Sequence, residues 1–269
     1  MVDNTLNKII NIKIKKINKL KKIISIESLK EKIDENNTFV NFKEKIENNI
    51  VNNKISIIAE IKKASPSAGI IVKDYDPVNI AKKYHENKAT CLSVLTEEDF
   101  FKGNLVHMHK IKQKINLPIL CKDFFIDPFQ VYLAKSFGAD AILIILSAIN
   151  KKTAEDIYNV AEKLDLSTIV EVHTDKEAEM ALNFKNAIIG INNRNLKTLN
   201  TDIQTTYDLH KILSSHPEPL VCESGIKSEK EVEEIITKTK INNFLIGESL
   251  LKDLTKNSNL LKKILQIKA

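Results

Sequence analysis

Charged and amide side chains lie within or at the end of five short apolar runs of this 269-residue sequence. They are Glu60 with Lys62, Lys122, Glu171 with His173, Asn192 with Arg194, and Glu223. Residues two apart on a β-strand point to the same side, so the members of each pair share a face. One such residue is typical of a solvated strand end, but repetition over five runs indicates a shared pocket. Lysine ammonium groups beside carboxylates are suited to general acid–base catalysis.

The three cysteines predict neither a disulfide framework nor a thiolate metal site. Cys91, Cys121 and Cys222 are odd in number and form no CxxC pair. Cys121 and Cys222 each directly precede a charged pocket candidate, so their thiols should point the other way, towards packed helices. We expect both to be core residues.

The histidines also lack the spacing of a metal site. His85 is followed four residues later by Ala89, where a helical site needs a second histidine, and His107 and His109 face different sides of a helix. His173 alone shares a face with a catalytic candidate. We expect no metal, and we expect His173 to line the pocket.

Glycines in two predicted loops indicate a phosphate site. The sequence holds only six glycines, where average usage would give roughly 19. Gly225 and Gly247 nevertheless fall in the segments E-S-G-I and I-G-E-S, which follow the last two apolar runs. Glycine lets backbone N–H groups approach an anion, and a helix N-terminus adds its dipole. The expected substrate is a phosphorylated small molecule.

The runs that carry these residues alternate with amphipathic stretches, which predicts α/β architecture. The predicted strands are 57–62, 91–96, 118–124, 141–146, 168–173, 187–193, 220–224 and 243–247. The predicted helices begin near Pro77, Asn104, Asp127, Lys152, Asp175, Asp202 and Ser228, with one more after Gly247. Eight consecutive β-then-α units favour a single closed (β/α)8 TIM barrel, in which the carboxyl ends of the strands meet at one mouth.

Residues 1–50 predict an N-terminal helical extension packed on a barrel domain of residues 51–269. Apolar residues recur there every three or four positions, at Leu6, Ile10, Ile14, Ile17, Leu20 and Ile24. The net charge of +6 resides in the first 25 residues, which hold seven lysines and one aspartate. We expect these lysines to be solvated. No apolar run reaches the roughly 18 residues of a membrane helix, and we expect a cytoplasmic monomer that binds neither membrane nor nucleic acid.

The segment 58–70, I-A-E-I-K-K-A-S-P-S-A-G-I, resembles the signature of indole-3-glycerol phosphate synthases. The similarity continues through S-V-L-T-E-E-D-F-F-K-G (93–103), K-D-F-F-I-D-P-F-Q (122–130), G-A-D-A-I-L (138–143), V-E-V-H (170–173) and G-I-N-N-R-N-L (190–196). It implies a carboxy-lyase of tryptophan biosynthesis that needs no cofactor. The implied reaction converts 1-(o-carboxyphenylamino)-1-deoxyribulose 5-phosphate to indole-3-glycerol phosphate, carbon dioxide and water.

The resemblance also implies a role for each matched residue. Lys122 corresponds to the general acid, Glu171 to the general base, and Lys62 to a residue that pairs with the substrate carboxylate and serves as an acid. Glu60 and Asn192 complete the catalytic set. The implied substrate-binding residues are Ser65, Phe101, Phe124, Arg194, Leu196, Glu223 and Ser224. The implied phosphate contacts are Ser224, Gly225, Gly247 and Glu248, the last through its backbone N–H.

Other functions stay open on the residues alone. A phosphate-binding barrel of this kind could be a phosphoribosylanthranilate isomerase, which needs a cysteine and an aspartate, or an aldolase that forms a Schiff base on Lys122. A nucleic-acid binder that uses the lysine-rich start is a third possibility.

Overall fold

The computed structural model describes residues 5–35, 39–256 and 259–267. The strands of these residues are β1 (Ser56–Ile61), β2 (Ala64–Ser65), β3 (Gly69–Ile70), β4 (Cys91–Leu95), β5 (Ile119–Lys122), β6 (Ala141–Ile145), β7 (Ser167–Val172), β8 (Ile188–Asn192), β9 (Leu220–Glu223) and β10 (Asn243–Ile246). All but β2 and β3 form a closed parallel barrel in chain order, in which β10 pairs with β1. The predicted TIM barrel is confirmed, and each predicted strand overlaps an observed one.

The helices are α1 (Thr5–Leu20), α2 (Ile26–Glu35), α3 (Phe42–Val51), α4 (Pro77–Glu86), α5 (Leu105–Lys112), α6 (Phe129–Ser136), α7 (Lys151–Lys163), α8 (Asp175–Ala181), α9 (Gln204–Leu213), α10 (Glu229–Thr239), α11 (Glu248–Lys256) and α12 (Leu260–Leu265). A start was predicted for the eight helices α4 to α11, and six of these begin within one residue of it. The exceptions are α6 and α9, because Asp127 and Asp202 accept hydrogen bonds from the backbone N–H two residues on and so hold a turn ahead of each helix.

The barrel has two apolar layers, which explains why its strands read as nearly continuous apolar runs. Inward-facing residues such as Ile58, Leu143 and Ile169 fill the interior. Outward-facing residues pack against the helices, and Cys121 and Cys222 lie in this outer layer. The expected burial of these two thiols is confirmed, and burial raises the pKa of Cys121 to about 12 and that of Cys222 to about 11.

The segment that precedes β1 contacts both ends of the barrel. At the end where the strands begin, Asp140 accepts a hydrogen bond from Val40 N at 2.9 Å and pairs with Lys112 at 2.6 Å. Nearby, Lys43 N donates to Ser167 Oγ at 3.1 Å. At the opposite end, α1 pairs with residues that follow β4 and β5, through Lys16 to Glu98 and Asp99 and through Lys13 to Asp123.

The buried face of α1 differs from the predicted one. The buried residues are Leu6, Ile9, Lys13 and Ile17, whereas the side chain of Ile14 is 43% exposed and the helix ends at Leu20, before Ile24. The expectation that all the early lysines are solvated is wrong for Lys13, whose Nζ lies 2.6 Å from Asp123 Oδ1 in a buried ion pair. A lysine can occupy a core position when its ammonium meets a carboxylate there.

The hairpin of β2 and β3 has no counterpart among the predicted elements. It lies in the loop between β1 and α4, and Ala64 pairs with Ile70. Gly69 adopts a left-handed φ of 64°, which allows the chain to turn back. The hairpin places Ser65 and Ser67 beside the end of β1 that faces the mouth.

No helix among the described residues is long and apolar enough to cross a membrane. No group of three or more histidine, cysteine, aspartate or glutamate side chains within the described part could hold a metal ion.

Candidate active site

A cavity of about 820 Å³ opens at the carboxyl end of the barrel strands. Its lining includes almost every residue that the sequence singled out: Glu60, Lys62, Phe101, Lys122, Phe124, Glu171, Asn192, Arg194, Leu196, Glu223, Ser224, Gly225, Gly247 and Glu248. These residues lie on five of the eight barrel strands, β1, β5, β7, β8 and β9, or in the segments that follow β1, β4, β5, β8, β9 and β10. Parallel strands with a common direction explain why distant segments converge on one mouth.

Lys122 lies at the centre of the charged part of this cavity. Its Nζ is 2.6 Å from Glu171 Oε2 and 3.5 Å from Glu223 Oε2. Burial alone would lower the pKa of Lys122, but the carboxylates of Glu171, Glu223 and Glu60 outweigh it and raise the pKa above its ordinary value. Lys122 is therefore an ammonium group, ready to donate a proton or a hydrogen bond to a ligand atom.

Glu171 is held from several directions. Besides Lys122, Asn192 donates from Nδ2 to Glu171 Oε1 at 3.0 Å, and His173 Nε2 lies 3.2 Å from the same oxygen. Burial would raise the pKa of Glu171, yet Lys122 and His173 hold it well below the ordinary range. The neighbouring carboxyl behaves in the opposite way, because burial and the charge of Glu171 raise the pKa of Glu223 in spite of Lys122.

Gly190 makes room for Glu223. A Cβ atom at position 190 would overlap Glu223 Oε1, and β8 lies directly beside β9 in the barrel. Gly190 begins the motif G-I-N-N-R-N-L, and the sequence alone predicted no role for it. Its signal is a glycine at an inward-facing strand position, where a missing side chain indicates the close approach of another group.

A second ion pair joins Lys62 Nζ to Glu60 Oε1 at the end of β1. Gly247 faces this pair, since a Cβ atom there would overlap Glu60 Oε1. Gly247 was predicted to serve the phosphate alone. The geometry gives it a further function, which is to leave space for the Glu60 carboxylate.

Part of the cavity lining is apolar. The ring centroids of Phe101 and Phe124 are 6.3 Å apart, and Leu143, Ile145 and Leu196 also line the cavity. A planar aromatic ligand fits against such a surface.

Glu97, which sequence reasoning missed, fixes the loop that presents Phe101. This buried carboxylate accepts hydrogen bonds from the backbone N–H groups of Asp99, Phe100 and Phe101, at 2.8 to 3.1 Å. A glutamate just after a strand and within a run of polar and aromatic residues was the available signal, because a buried carboxylate needs such donors.

The loops after β9 and β10 form the third part of the cavity. Ser224 and Gly225 both adopt left-handed φ values, 66° and 84°, and this is a costly conformation for serine that clusters at functional sites. The helix α11 begins at Glu248, whose side chain pairs with Lys252 at 2.5 Å. The carboxylate of Glu248 is thus engaged along its own helix, which leaves the backbone N–H groups of this turn to serve an anion.

Arg194 connects the mouth to the β2–β3 hairpin. Its Nη1 donates to Ser67 Oγ at 2.9 Å and to Leu199 O at 3.2 Å. A guanidinium group thereby closes one side of the cavity between two loops.

Comparison with known proteins agrees with this arrangement. A family model described as indole-3-glycerol phosphate synthase matches residues 6–264. The chain belongs to this family. The indole-3-glycerol phosphate synthase of Polynucleobacter necessarius is 39% identical over 257 residues, which cover 93% of this chain and 95% of that protein. The indole-3-glycerol phosphate synthase of Trichodesmium erythraeum is 42% identical over 214 residues, 78% of this chain and 72% of its own length.

Solved structures of low sequence identity share the fold. The 3-hexulose-6-phosphate synthase of Salmonella typhimurium superposes with a TM-score of 0.63 at 12% identity, over 79% of this chain and 97% of that one. The tryptophan synthase α subunit of Legionella pneumophila superposes with a TM-score of 0.61 at 13% identity, over 84% and 97% of the two chains.

Two residues that the sequence placed in the indole-3-glycerol phosphate synthase site lie outside the cavity lining. Ser65 is buried in the hairpin, where its Oγ accepts a hydrogen bond from Ala68 N at 3.2 Å. The expectation that His173 lines the pocket is wrong. The imidazole lies behind Glu171, because Glu177 on α8 binds its Nδ1 at 3.1 Å and draws it away from the mouth.

Proposed function

We propose that this chain catalyses the indole-3-glycerol phosphate synthase reaction, with the residues of the cavity in the roles that follow. The single observation that carries the proposal is the position of Lys122, 2.6 Å from Glu171 and 3.5 Å from Glu223, in a cavity that Phe101 and Phe124 also line. A ligand whose aromatic ring lay against these phenylalanines would present its ketone to a lysine ammonium. Family membership supports the same reaction.

The first step joins a carbon of the anthranilate ring to the ketone carbon of the ribulose chain. Lys122 is the general acid that donates a proton to the carbonyl oxygen as charge develops on it. Lys62 pairs with the substrate carboxylate, and the ion pair with Glu60 orients the Lys62 ammonium. Loss of carbon dioxide from the ring carbon then leaves a five-membered ring that carries a hydroxyl group.

Dehydration completes the indole. Glu171 is the base that removes the proton from the ring, while Lys62 or Lys122 protonates the leaving hydroxyl. Asn192 holds the Glu171 carboxylate through its Nδ2. Because the pKa of Glu171 lies well below its ordinary range, this carboxylate is ionised in the resting protein.

The remaining residues of the cavity bind the substrate. Phe101, Phe124 and Leu196 contact the anthranilate ring, whereas Arg194 and Glu223 hold the polar chain. The phosphate lies against the backbone N–H groups of 224, 225, 247 and 248, and Ser224 adds its hydroxyl. Ser65 reaches the phosphate only if the hairpin rearranges on binding. We further propose that the protein is a cytoplasmic monomer, which size-exclusion chromatography with light scattering tests for the oligomeric state.

The rival reactions find less support. A Schiff-base aldolase needs a neutral lysine, but the carboxylates around Lys122 raise its pKa. The isomerase needs a reactive thiol, and no cysteine is among the residues that line the described cavity.

The test is direct conversion of substrate. Purified protein mixed with 1-(o-carboxyphenylamino)-1-deoxyribulose 5-phosphate should produce indole fluorescence, and mass spectrometry should detect indole-3-glycerol phosphate and the release of carbon dioxide. Folded protein that gives no product contradicts the proposal. Borohydride that traps substrate on Lys122 would favour the aldolase instead.

A further inference from the structure

His173 occupies a position between two carboxylates at the back of the cavity. Its Nε2 lies 3.2 Å from Glu171 Oε1, and its Nδ1 lies 3.1 Å from Glu177 Oε2. Only 9% of the side chain is exposed to solvent. The ring therefore joins the end of β7 to α8 and contacts the proposed base Glu171, and it is not among the residues that line the described cavity.

Glu177 is itself fixed. Its Oε2 accepts a hydrogen bond from His173 N at 2.8 Å, and its backbone N–H donates to Thr174 Oγ1 at 3.4 Å in the N-terminal turn of α8. Glu177 thus holds both the backbone and the ring of His173, and the position of the imidazole is set by the helix rather than by the substrate.

The interaction between His173 and Glu171 is electrostatic. His173 Nε2 is buried, and it makes no well-directed hydrogen bond among the described residues in spite of the short distance to Glu171. An imidazole with a carboxylate facing each nitrogen is favoured as the cation. The other oxygen of Glu171, Oε2, pairs with Lys122 from β5, which also faces the Glu223 carboxyl from β9, so His173 is a second cation beside the base.

We propose that His173 is a positioning residue, which Glu177 holds in place and which keeps the Glu171 carboxylate ionised and fixed in orientation. The inference rests on the proposed function, in which Glu171 is the general base. The charge of His173 becomes important when Lys122 transfers its proton to the substrate, because His173 is then the cation that remains beside Glu171. Burial would lower the pKa of His173, but Glu171 and Glu177 outweigh it and raise that pKa to about 9, which agrees with an imidazolium at neutral pH.

The first experiment compares pH–rate profiles of His173→Gln, Glu177→Gln and wild type. Glutamine is neutral and has a similar reach, and at position 177 its amide oxygen still accepts the hydrogen bond from His173 N. For His173→Gln we expect the acid limb of kcat/KM to move up by about one pH unit, so that the loss relative to wild type grows as the pH falls, with KM within about twofold of wild type at neutral pH. For Glu177→Gln we expect a smaller shift of the same profile. In the double variant, Glu177→Gln should produce no shift beyond that of His173→Gln alone.

His216→Gln is the matched control. This histidine is also partly buried, but its Nε2 contacts Ala187 O at 2.8 Å, away from the mouth, so its profile should match that of wild type. A profile of His173→Gln that coincides with wild type overturns the proposal. So does an equal loss of kcat at every pH, which a purely structural role would give.

The second experiment follows the imidazole directly. In histidine-labelled protein, the His173 resonance, assigned by its loss in His173→Gln, should titrate near pH 9, and Glu171→Gln should lower its pKa by at least one pH unit. A His173 that is neutral at pH 7, or that ignores Glu171→Gln, overturns the proposal. Because this measurement needs no turnover, failure of the His173 contact is distinguishable from failure of the proposed reaction, which the substrate assay reports separately.

Discussion

Lys13 Nζ lies 2.6 Å from Asp123 Oδ1, and this ion pair ties the first helix to the residue that follows Lys122. Both side chains are buried, at 8% and 10% exposure, and Asp123 Oδ2 also accepts a hydrogen bond from Thr96 Oγ1 at 2.8 Å. A buried carboxylate that loses its cation is costly, whereas removal of both partners is tolerated better. The pair therefore makes α1 part of the structure that supports the active site.

Replacement of Lys13 should destabilise the protein strongly. Lys13→Met leaves the Asp123 carboxylate buried without its cation, and we expect the free energy of unfolding in urea to fall by about 3 kcal/mol. Lys13→Met combined with Asp123→Asn should recover part of this loss. Lys16→Met, on the same helix, breaks more exposed pairs with Glu98 and Asp99 and should cost less than about 1 kcal/mol. Equal losses for the two lysines would contradict the special position of Lys13.

Two buried lysine–carboxylate pairs at opposite ends of the barrel should respond differently to the same substitution. Lys122→Met should lower kcat by a factor of about 10² to 10⁴ or more and leave substrate binding largely intact, because the ammonium acts chiefly in the transition state. Lys112→Met breaks the pair with Asp140, so it should lower the free energy of unfolding by about 3 to 5 kcal/mol and leave kcat within about twofold. Steady-state kinetics measures kcat for both variants, and urea denaturation measures their free energies of unfolding. Retained turnover in Lys122→Met removes this residue from the mechanism.

The phosphate assignment predicts a ligand-dependent effect at Gly225. Gly225 has a φ of 84°, and a Cβ atom there would lie 2.8 Å from Thr201 Cγ2, so Gly225→Val should displace the loop and its N–H groups. We expect KM for the phosphorylated substrate to rise at least about tenfold, while a dephosphorylated analogue should bind wild type and variant equally weakly.

Gly138→Ala is the control for backbone strain. Gly138 has a similar φ of 91° but lies just before β6, at the end of the barrel opposite the mouth. It should lose stability without any change in KM. Equal losses of affinity for both ligands in Gly225→Val would contradict the assignment of phosphate binding to this loop.

The His173 cluster predicts a pH-dependent contribution to stability. The pKa of His173 rises from an ordinary 6.5 to about 9 in the folded protein, so its contribution is fully present below pH 6.5 and is lost as the pH rises through 9. The difference in unfolding free energy between wild type and His173→Gln should therefore be largest near pH 6, at up to about 3 kcal/mol, and should shrink by pH 10. Urea denaturation at several pH values measures it. A difference that is constant with pH would contradict a charged His173.

The sequence predicted the barrel and most of the site for a physical reason. Strands buried on both faces read as apolar runs, and a residue such as Glu171 or Lys122 inside such a run is anomalous unless it serves the mouth. Side chains alternate between the two faces of a β-strand, and this alternation placed Glu60 and Lys62 on one face without any tertiary information.

The misses are contacts between segments far apart in the chain. Periodicity could not show that Lys13 occupies the buried stripe of α1, because the carboxylate that makes this tolerable is 110 residues away. Parity placed His173 on the same side as Glu171, yet the pull of Glu177 from the next helix decided where the ring points. The hairpin of β2 and β3 was missed because two-residue strands leave no alternating pattern.

The contacts of α3 with the end of the barrel where the strands begin have a consequence for synthesis on the ribosome. Lys43 pairs with Glu218 at 3.0 Å, 175 residues later in the chain, so at 5 to 20 residues per second roughly 10 to 35 seconds separate the two during translation. Phe42 and Ile46 are fully buried in the finished barrel, in a cluster that also includes Val221 and Leu245. The environment of this early segment is therefore complete only after β9 and β10 have been synthesised.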